Sequence, residues 1–171
     1  MLNREELEKL ISEKKLIEDF IDLKAQLTSN GFDLTCAAIS EFNGPGSVDF
    51  SNKERQLPEC KLLIPQKEKS GDKFGWWTLK KGIYKVKTNE TVNLPNDLIA
   101  LAFTRTTLLR MGAFTQHGVW DAGFKGKGEF VLYVENQFGI KIKENSRVAQ
   151  LIFIPITHTG QGYTGIYKNL T

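Results

Sequence analysis

The feature that most constrains the fold is a series of short strand-like segments in the second half of the chain. Each segment is rich in β-branched or aromatic residues, and Gly, Asn, Pro or Asp separates it from the next. The segments are GIYKVKTNETVNL (82–94), DLIALAF (97–103), EFVLYV (129–134), IKIK (140–143) and RVAQLIFIPI (147–156). Short strands at this spacing predict an all-β domain, either a sandwich or a jelly-roll barrel.

The N-terminus differs from the rest, because its pattern predicts a helix from Asn3 to about Lys15. Asn3 can cap the helix, and Glu6 lies three residues later, where it closes a capping box. We assign this helix to an N-terminal region of about residues 1–20. One apolar face follows the cap, formed by Leu7, Leu10 and Ile11.

The length of 171 residues predicts a single domain, residues 1–171, with a core of its own. Hydrophobic residues make up 40% of the chain and charged residues 25%, which is an ordinary balance for a soluble protein. The tail THTGQGYTGIYKNLT, about residues 157–171, is polar and Gly-rich. We expect it to be a C-terminal arm that is mobile without a ligand.

The net charge indicates what kind of ligand the protein binds, and the cysteines indicate its cellular compartment. A net charge of +3 is too small to demand a nucleic-acid partner, but it suits a small anionic ligand. Cys36 and Cys60 lack metal-site spacing, so they are either reduced thiols of a cytosolic protein or one disulfide. The first ten residues lack the apolar core of a signal peptide, and no apolar run is long enough to cross a membrane. We therefore expect a cytoplasmic protein without nucleic-acid or membrane partners.

Four segments carry the side chains that are candidates for chemistry: NGFDLT (30–35), TRTTLLRMG (104–112), HGVWDAGFKG (117–126) and RVAQLIF (147–153). Asp33 in the first segment is typical of a residue that ends a turn. Gln150 in the last lies among apolar residues, so it either makes a structural hydrogen bond or contacts a ligand.

The second segment places two guanidinium groups and two hydroxyls within six residues: Arg105, Thr106, Thr107 and Arg110. A solvated surface turn has this composition. The neighbouring Leu108, Leu109 and Met111 indicate instead a helical turn with a buried side. Arginines beside such a turn favour an anion site, because arginine binds phosphate through two parallel hydrogen bonds.

The third segment contains His117 and Asp121, which suggest a metal site or a catalytic pair. No third ligand lies nearby, and His158 is the only other histidine, so a zinc site or a Ser/His/Asp triad is disfavoured. We interpret His117 as a hairpin residue or a hydrogen-bonding partner.

Together and in this order, the four segments resemble the motifs of the dUTPase and dCTP deaminase superfamily. NGFDLT is similar to the first motif, TRTTLLRMG to the second, GVWDAGFKG to the third and RVAQLIF to the fourth. The resemblance extends to about Tyr167 and implies a distorted β jelly-roll barrel. It also implies a homotrimer whose active sites are each assembled from more than one subunit.

Two branches of this superfamily share the fold but differ in the reaction. The segment LEKLISEKKLIEDF and the second arginine of RTTLLR are similar to the deaminase branch, which indicates an archaeal-type lineage. Deaminases carry Leu-Glu after the third motif, with Asn three residues past the glutamate. Counting back from Asn136 places Tyr133 at that position, and counting forward from Asp121 places Val131 there. Neither is a carboxylate, which favours hydrolysis of dUTP to dUMP and pyrophosphate, with rescue by the nearby Glu129 as the weaker alternative.

The resemblance assigns a role to each candidate residue. Asp121 is expected to activate the attacking water, and Mg²⁺ is the expected cofactor, held mainly through substrate phosphates and water. Asp33, Arg147 and His117 are expected to support the site. The expected substrate-binding residues are Arg105, Thr106, Thr107, Arg110, Gly118, Val119, Trp120, Phe124, Gln150, Tyr163 and Lys168.

The segment GQGYTGIYKN is only partly similar to the fifth dUTPase motif, because it has no arginine. Tyr163 and Lys168 are expected to belong to a shorter lid. The expected role of such an enzyme is to supply dUMP for dTMP synthesis and to keep uracil out of DNA. Two alternatives stay open: a dCTP deaminase or bifunctional enzyme, and a nucleotide-binding member without catalysis.

Overall fold

A computed structural model describes residues 1–169 of the chain, in which strands dominate. The helices are α1 (Arg4–Lys14), α2 (Leu23–Gln26) and α3 (Thr106–Arg110). The strands are β1 (Ile17–Glu18), β2 (Phe32–Phe42), β3 (Cys60–Leu62), β4 (Trp76–Leu79), β5 (Gly82–Asn93), β6 (Leu98–Thr104), β7 (Ala113–Gln116), β8 (Lys125–Val134), β9 (Ile140–Lys143) and β10 (Arg147–Pro155). The prediction of an all-β domain with a short N-terminal helix is confirmed.

The main sheet is antiparallel and nearly closes on itself. Its strand order is β6-β10-β2-β5-β8-β7, with β1 added to β5 and β3 added to β2. The two end strands meet, because the Thr115 backbone N–H of β7 donates to the Thr104 hydroxyl of β6 over 2.8 Å. Strands β4 and β9 form a separate two-stranded sheet. This near-closure is the barrel that the resemblance implied.

Helix α1 begins as predicted and ends earlier than the region of about 1–20 that was assigned to it. The Asn3 side chain accepts from the Glu6 N–H, and the Glu6 carboxylate accepts from the Asn3 N–H, which completes the capping box. The helix ends at Lys14, because Lys15 adopts the left-handed conformation with φ of 54°. The chain then enters β1, which pairs with β5. Two of the three predicted face residues, Leu7 and Ile11, are buried.

Strand β5 contains an irregularity that changes which residues lie opposite each other. Lys87 pairs with Glu129 and Thr91 pairs with Lys127, so four steps along β5 match two steps along β8. The extra residues form a bulge at 88–90, and β8 keeps its regular alternation. Thr88 and Glu90 follow the regular alternation of buried residues along β5, in phase with Val86 and Val92, and both are fully buried.

The chain after β10 folds back onto the β5–β6 loop and the β7–β8 loop. The Thr159 N–H donates to the Asn96 carbonyl over 2.9 Å, and the Tyr163 N–H donates to the Ala122 carbonyl over 2.7 Å. The predicted arm is therefore attached at Thr159 and Tyr163, while most of residues 157–169 are exposed. The last two residues of the arm lie outside the described part.

Both cysteines of the chain are free thiols, Cys36 buried in β2 and Cys60 partly exposed in β3. Of the two expectations for them, the structure shows the reduced pair. Burial raises the pKa of Cys36 to about 12, which makes it an inert thiol at neutral pH. Within residues 1–169, none of the helices has the length and apolar character needed to cross a membrane.

Candidate active site

A cavity of about 520 Å³ lies between the β7–β8 loop and strand β8. We call it the loop cavity. The loop contributes Gly118, Val119, Trp120, Asp121 and Phe124 to its wall. Strand β8 contributes Lys127, Gly128, Glu129, Phe130 and Val131, and the opposite wall contains Phe42, Leu57, Pro58, Cys60, Lys85, Tyr163 and Tyr167. Five of the expected site residues on the loop thus share one cavity.

Trp120 anchors the loop to the barrel. Its backbone exchanges two hydrogen bonds of 3.0 Å with Ala100, and its side chain is only 8% exposed. The indole ring lies over Gly128, where a Cβ atom would come within 2.4 Å of a ring carbon. Glycine is therefore required at position 128 for the ring to pack. The anchor fixes the backbone immediately before Asp121.

Asp121 follows the anchor, and its side chain is exposed at the cavity wall. Its carbonyl accepts from the Phe124 N–H over 3.0 Å, which closes a tight turn. Gly123 in this turn has φ of 79°, a conformation that L side chains rarely adopt. A carboxylate that is exposed and mounted on a rigid turn can hold a water against a ligand in the cavity.

Phe124 joins the loop to the C-terminal arm. Its ring contacts Trp120 edge to face at 5.3 Å between centroids and Tyr163 at 5.6 Å. Tyr163 lines the loop cavity, as expected for a lid residue. Lys168 lines a second cavity of about 410 Å³ on the other side of Phe124.

His117 begins the loop and is mostly buried. Its Nε2 atom lies 2.7 Å from the Thr115 hydroxyl, and its ring packs on Phe130 at 4.2 Å between centroids. Burial lowers the pKa of His117 to about 4, so the ring is neutral at pH 7. This geometry fits the expected hydrogen-bonding role.

A second group of site residues gathers around Asp33, whose carboxylate is only 2% exposed. Arg105 Nε lies 2.9 Å and Arg147 Nη1 lies 3.2 Å from the same Asp33 oxygen. We call these three residues the arginine cluster. Burial raises the pKa of Asp33, and the two guanidinium groups oppose that rise. Asp33 is therefore the buried counter-ion of both arginines rather than a turn residue alone.

The arginine cluster continues into α3. Arg105 is the residue before the helix, and Thr106 and Thr107 are exposed in its first turn. Leu108 is buried and Arg110 is exposed, so the helical turn has the buried side that the sequence predicted. The prediction that Leu109 contributes to that side is wrong, because its side chain is 55% exposed.

Gln150 lies on β10, beside the arginine cluster. Its Nε2 atom donates to the Thr28 hydroxyl over 2.7 Å. Arg147 on the same strand donates to the Ala25 carbonyl over 2.6 Å. Of the two alternatives left open for Gln150, the structure shows the structural hydrogen bond.

The two groups do not share a cavity within the described part of one chain. The loop cavity is lined by the β7–β8 loop, β8 and the arm. Nine expected binding or supporting residues are absent from its wall: Asp33, Arg105, Thr106, Thr107, Arg110, His117, Arg147, Gln150 and Lys168. One copy of the chain therefore presents two separate halves of the expected site.

The position that decides between the two branches lies on β8. Tyr133 stacks on Phe114 with 4.9 Å between ring centroids and 10° between planes, and it is not part of the loop-cavity wall. Glu129 does line the cavity, where Lys85 contacts it at 3.1 Å. Glu135 lies beyond β8 and pairs with Lys81 at 2.8 Å. The alternative carboxylate, Glu129, therefore lines the cavity, and the nearby Glu135 does not.

Sequence reasoning did not identify the wall opposite the loop. Phe42 is the last residue of β2, and Leu57 and Pro58 belong to the segment between β2 and β3, which has only a loop signal in the sequence. Lys85 alternates with apolar residues in β5 like any solvent-facing lysine. These residues meet the cavity through strand pairing, which a linear pattern does not reveal.

The fold of this chain is shared with a solved structure. The crystal structure of 2'-deoxycytidine 5'-triphosphate deaminase from Agrobacterium tumefaciens superposes with a TM-score of 0.64, covering 92% of this chain and 49% of that chain. At 20% sequence identity, this similarity shows a shared fold.

The family follows from sequence similarity. A family model described as dCTP deaminase-like matches residues 1–156. A probable deoxyuridine 5'-triphosphate nucleotidohydrolase of Archaeoglobus fulgidus is 40% identical over 98% of this chain and 95% of its own. One of Methanosarcina mazei is 42% identical over 99% and 96%. The deoxyuridine 5'-triphosphate nucleotidohydrolase of Methanocaldococcus jannaschii is 33% identical over 84% and 87%. The chain belongs to the dCTP deaminase-like family, within the dUTPase and dCTP deaminase superfamily.

Proposed function

We propose that this chain is a dUTP diphosphatase, which hydrolyses dUTP to dUMP and pyrophosphate. The observation that carries the proposal is the exposed Asp121 carboxylate on a rigid turn of the loop cavity. The archaeal relatives named as dUTP nucleotidohydrolases over nearly the full chain support it. The absence of a carboxylate at both positions that could match the deaminase glutamate, Tyr133 and Val131, also supports it.

In the proposed reaction, Asp121 orients a water and accepts a proton from it as the water attacks the α-phosphorus of dUTP. A bond forms between the water oxygen and the α-phosphorus, and the bond from that phosphorus to the bridging oxygen of the β-phosphate breaks. Pyrophosphate leaves with the electron pair, and Asp121 returns its proton to solvent. A general base of this kind contributes roughly 10²- to 10⁴-fold to the rate.

Mg²⁺ is the cofactor that fits this chemistry. The Asp121 carboxylate offers the hard oxygen that Mg²⁺ prefers, but residues 1–169 contain no group of three His, Cys, Asp or Glu side chains able to cage an ion. The residues therefore fit an ion held mainly by the substrate phosphates and water. When bound, Mg²⁺ neutralises phosphate charge and orients the triphosphate.

Uracil recognition is assigned to the loop cavity. Backbone N–H and C=O groups of the β7–β8 loop can complement the O2, N3 and O4 edge of uracil, whereas cytosine reverses the pattern at N3 and at position 4. A buried group that is left unpaired costs about 1–3 kcal/mol, which is enough to discriminate between the bases. The Phe124 ring would pack on the deoxyribose and leave little room for a 2′-hydroxyl.

Phosphate binding is assigned to the arginine cluster and α3 of a neighbouring copy. Arg105 is 27% exposed and Arg147 is 39% exposed, so each guanidinium keeps N–H groups available outside its contact with Asp33. Since this half of the site lies away from the loop cavity of the same chain, a second copy must supply it. A homotrimer satisfies this arrangement, because the loop cavity of each copy can pair with the arginine cluster of one neighbour, and its own arginine cluster with the cavity of the other. Tyr163 and Lys168 would then cover the bound nucleotide.

The runner-up is a bifunctional enzyme that also deaminates dCTP. One observation favours it, namely the Glu129 carboxylate in the loop cavity beside Lys85. In this reading, Glu129 would shuttle the protons for attack of water on the pyrimidine ring. The cellular role that we infer for the diphosphatase is cytoplasmic supply of dUMP for dTMP synthesis and removal of dUTP before uracil enters DNA.

A product assay separates these functions. The protein is incubated with Mg²⁺ and either dUTP or dCTP, and pyrophosphate and ammonia are measured separately. The proposal predicts pyrophosphate from dUTP and no ammonia from dCTP. Ammonia from dCTP establishes the runner-up, and tight dUTP binding without either product establishes a non-catalytic nucleotide-binding protein.

A further inference from the structure

The carboxylate of Glu90 lies in the bulge of β5 and is fully buried. Three donors surround it. Gln26 Nε2 donates to Oε1 over 2.7 Å, the Thr35 N–H donates to Oε2 over 2.9 Å, and the Thr35 hydroxyl donates to Oε1. Burial raises the pKa of Glu90, and these hydrogen bonds oppose the rise. Burial of a carboxylate costs desolvation free energy, which indicates a role for Glu90 beyond filling the core.

The network of Glu90 leads on one side to the arginine cluster. The Gln26 side chain that binds Glu90 also donates to the Asp33 carbonyl over 2.9 Å. Thr35 lies two residues along β2 from Asp33 and faces Glu90 through both its N–H and its hydroxyl. The backbone at Asp33 is therefore held from two directions, and the Asp33 carboxylate in turn holds Arg105 and Arg147.

The same bulge leads on its other side to the loop cavity. The Thr88 hydroxyl donates to the Glu90 carbonyl over 3.1 Å and accepts from the Gly128 N–H over 2.9 Å. Lys127 Nζ donates to the Asn89 carbonyl over 2.6 Å. Gly128 and Lys127 both line the loop cavity. The bulge thus contacts the cavity strand through backbone and hydroxyl groups, whereas the Glu90 carboxylate contacts only the side towards Asp33.

We propose that Glu90 is a positioning residue for the arginine cluster, acting through Gln26 and Thr35 on Asp33. The inference rests on the proposed function in one respect, that the arginines bind the phosphates of the substrate. Loss of the Glu90 carboxylate releases β2 at Asp33, and Arg105 and Arg147 lose their common anchor. The pyrimidine half of the site is unaffected, because its contacts to the bulge come from Thr88 and Asn89.

The test replaces Glu90 by glutamine in the full-length chain. All three contacts to the carboxylate come from donors, so the amide nitrogen of Glu90→Gln must face one of them and repel it. We expect the Kd for inorganic pyrophosphate, measured by calorimetry, to rise at least tenfold. The KM for dUTP is expected to rise by a similar factor, while the Kd of deoxyuridine, which has no phosphate, changes less than twofold.

The matched control is Val92→Ala, a fully buried residue two positions along the same strand. It creates a cavity and lowers the melting temperature without touching the Glu90 network. We expect its pyrophosphate Kd and dUTP KM to stay within twofold of wild type. If both variants weaken pyrophosphate binding in parallel with their loss of stability, Glu90 is merely structural and the proposal is overturned.

Thr35→Val provides a second route if Glu90→Gln does not fold, since it keeps the shape of the side chain and removes the hydroxyl that donates to Glu90 and accepts from Asn89 Nδ2 over 2.9 Å. We expect weaker pyrophosphate binding in Thr35→Val and recovery in Thr35→Ser, whereas equal binding in both variants overturns the proposal. The calorimetric result is independent of turnover. A wild-type protein that binds pyrophosphate but leaves dUTP intact refutes the proposed function, and weakened binding in Glu90→Gln would still support the role of Glu90.

Discussion

The loop cavity and the arginine cluster differ in the polarity of their side chains and in the exposure of their carboxylates. The loop cavity has largely apolar and backbone walls, and its one carboxylate on the loop, Asp121, is exposed. The arginine cluster has charged groups arranged around Asp33, a carboxylate that is almost completely buried. An exposed acid can exchange protons with water, whereas a buried acid between two arginines serves to fix their direction. Under the proposed function, Asp121 in the loop cavity would carry the chemistry, and the arginine cluster would bind the phosphates.

The largest expected effect comes from Asp121→Asn, which removes the proposed base but keeps the shape of the side chain. We expect turnover of dUTP to fall by roughly 10³-fold, the middle of the range for general bases. Binding of a non-hydrolysable dUTP analogue, measured by calorimetry, should stay within a few-fold of wild type. Near-normal turnover would remove Asp121 from the chemistry and erase the proposed difference between the two regions.

The next effect in size is expected from Arg105→Met. It removes a charge-assisted hydrogen bond to the phosphates, which contributes about 1.5–3 kcal/mol. A loss of this size corresponds to a rise in the KM for dUTP of roughly 10- to 100-fold. Deoxyuridine binding should not change, because the loop cavity is intact. Lys61→Met on the exposed strand β3 is the control for loss of one positive charge. Equal effects of both substitutions would show that only net charge matters.

A smaller effect is expected on stability, through His117 at the start of the loop. Its folded pKa of about 4 lies below the unfolded value of 6.5, so the unfolded chain binds the proton first as the pH falls. The contribution of neutral His117 to the free energy of unfolding is therefore fully present above pH 6.5. It decreases as the pH falls towards 4, by about 2 kcal/mol between pH 7 and pH 5. The difference in unfolding free energy between wild type and His117→Gln, measured by denaturant titration at both pH values, should shrink by that amount. A constant difference would contradict the buried, neutral state of His117.

The smallest effect is expected from Phe124→Tyr. The ring already contacts Trp120 and Tyr163, and an added hydroxyl keeps both aromatic contacts. We expect kcat/KM for dUTP to change by less than about threefold, which is less than 1 kcal/mol. Phe124→Leu removes the aromatic contacts and should cost more. If Phe124→Tyr is the more harmful of the two, the ring does not act through packing alone.

The sequence predicted the parts of the molecule whose information is local. Alternation in GIYKVKTNETVNL and the capping box at Asn3 identify β5 and the start of α1, because each pattern is read within one element. Strands β3, β4 and β7 have three or four residues each and lack the clear Ile-Lys alternation that identifies the equally short β9. The structure shows them as strands through their pairing with β2, β9 and β8.

The candidate site residues also divide into those with a local sequence signal and those that depend on strand pairing. Asp121 and Arg105 could be identified because each lies in a compact motif. The role of Asp33 as counter-ion to Arg105 and Arg147 depends on β2 and β10 lying side by side, which no linear pattern shows. The alternation along β5 places Glu90 on the same face as Val86 and Val92, but glutamate is ordinarily exposed, so the sequence did not single it out as a buried carboxylate.

The central claim, that one active site combines the loop cavity of one copy with the arginine cluster of another, has a direct test. Asp121→Asn and Arg105→Met chains are co-expressed in equal amounts, and pyrophosphate release is measured at a dUTP concentration far below the wild-type KM. If copies mix randomly in a trimer, about a quarter of the sites combine an intact cavity with an intact arginine, so about a quarter of the wild-type rate returns. A rate no higher than that of the two variants measured separately would contradict the claim, because it would place both halves of the site in one chain.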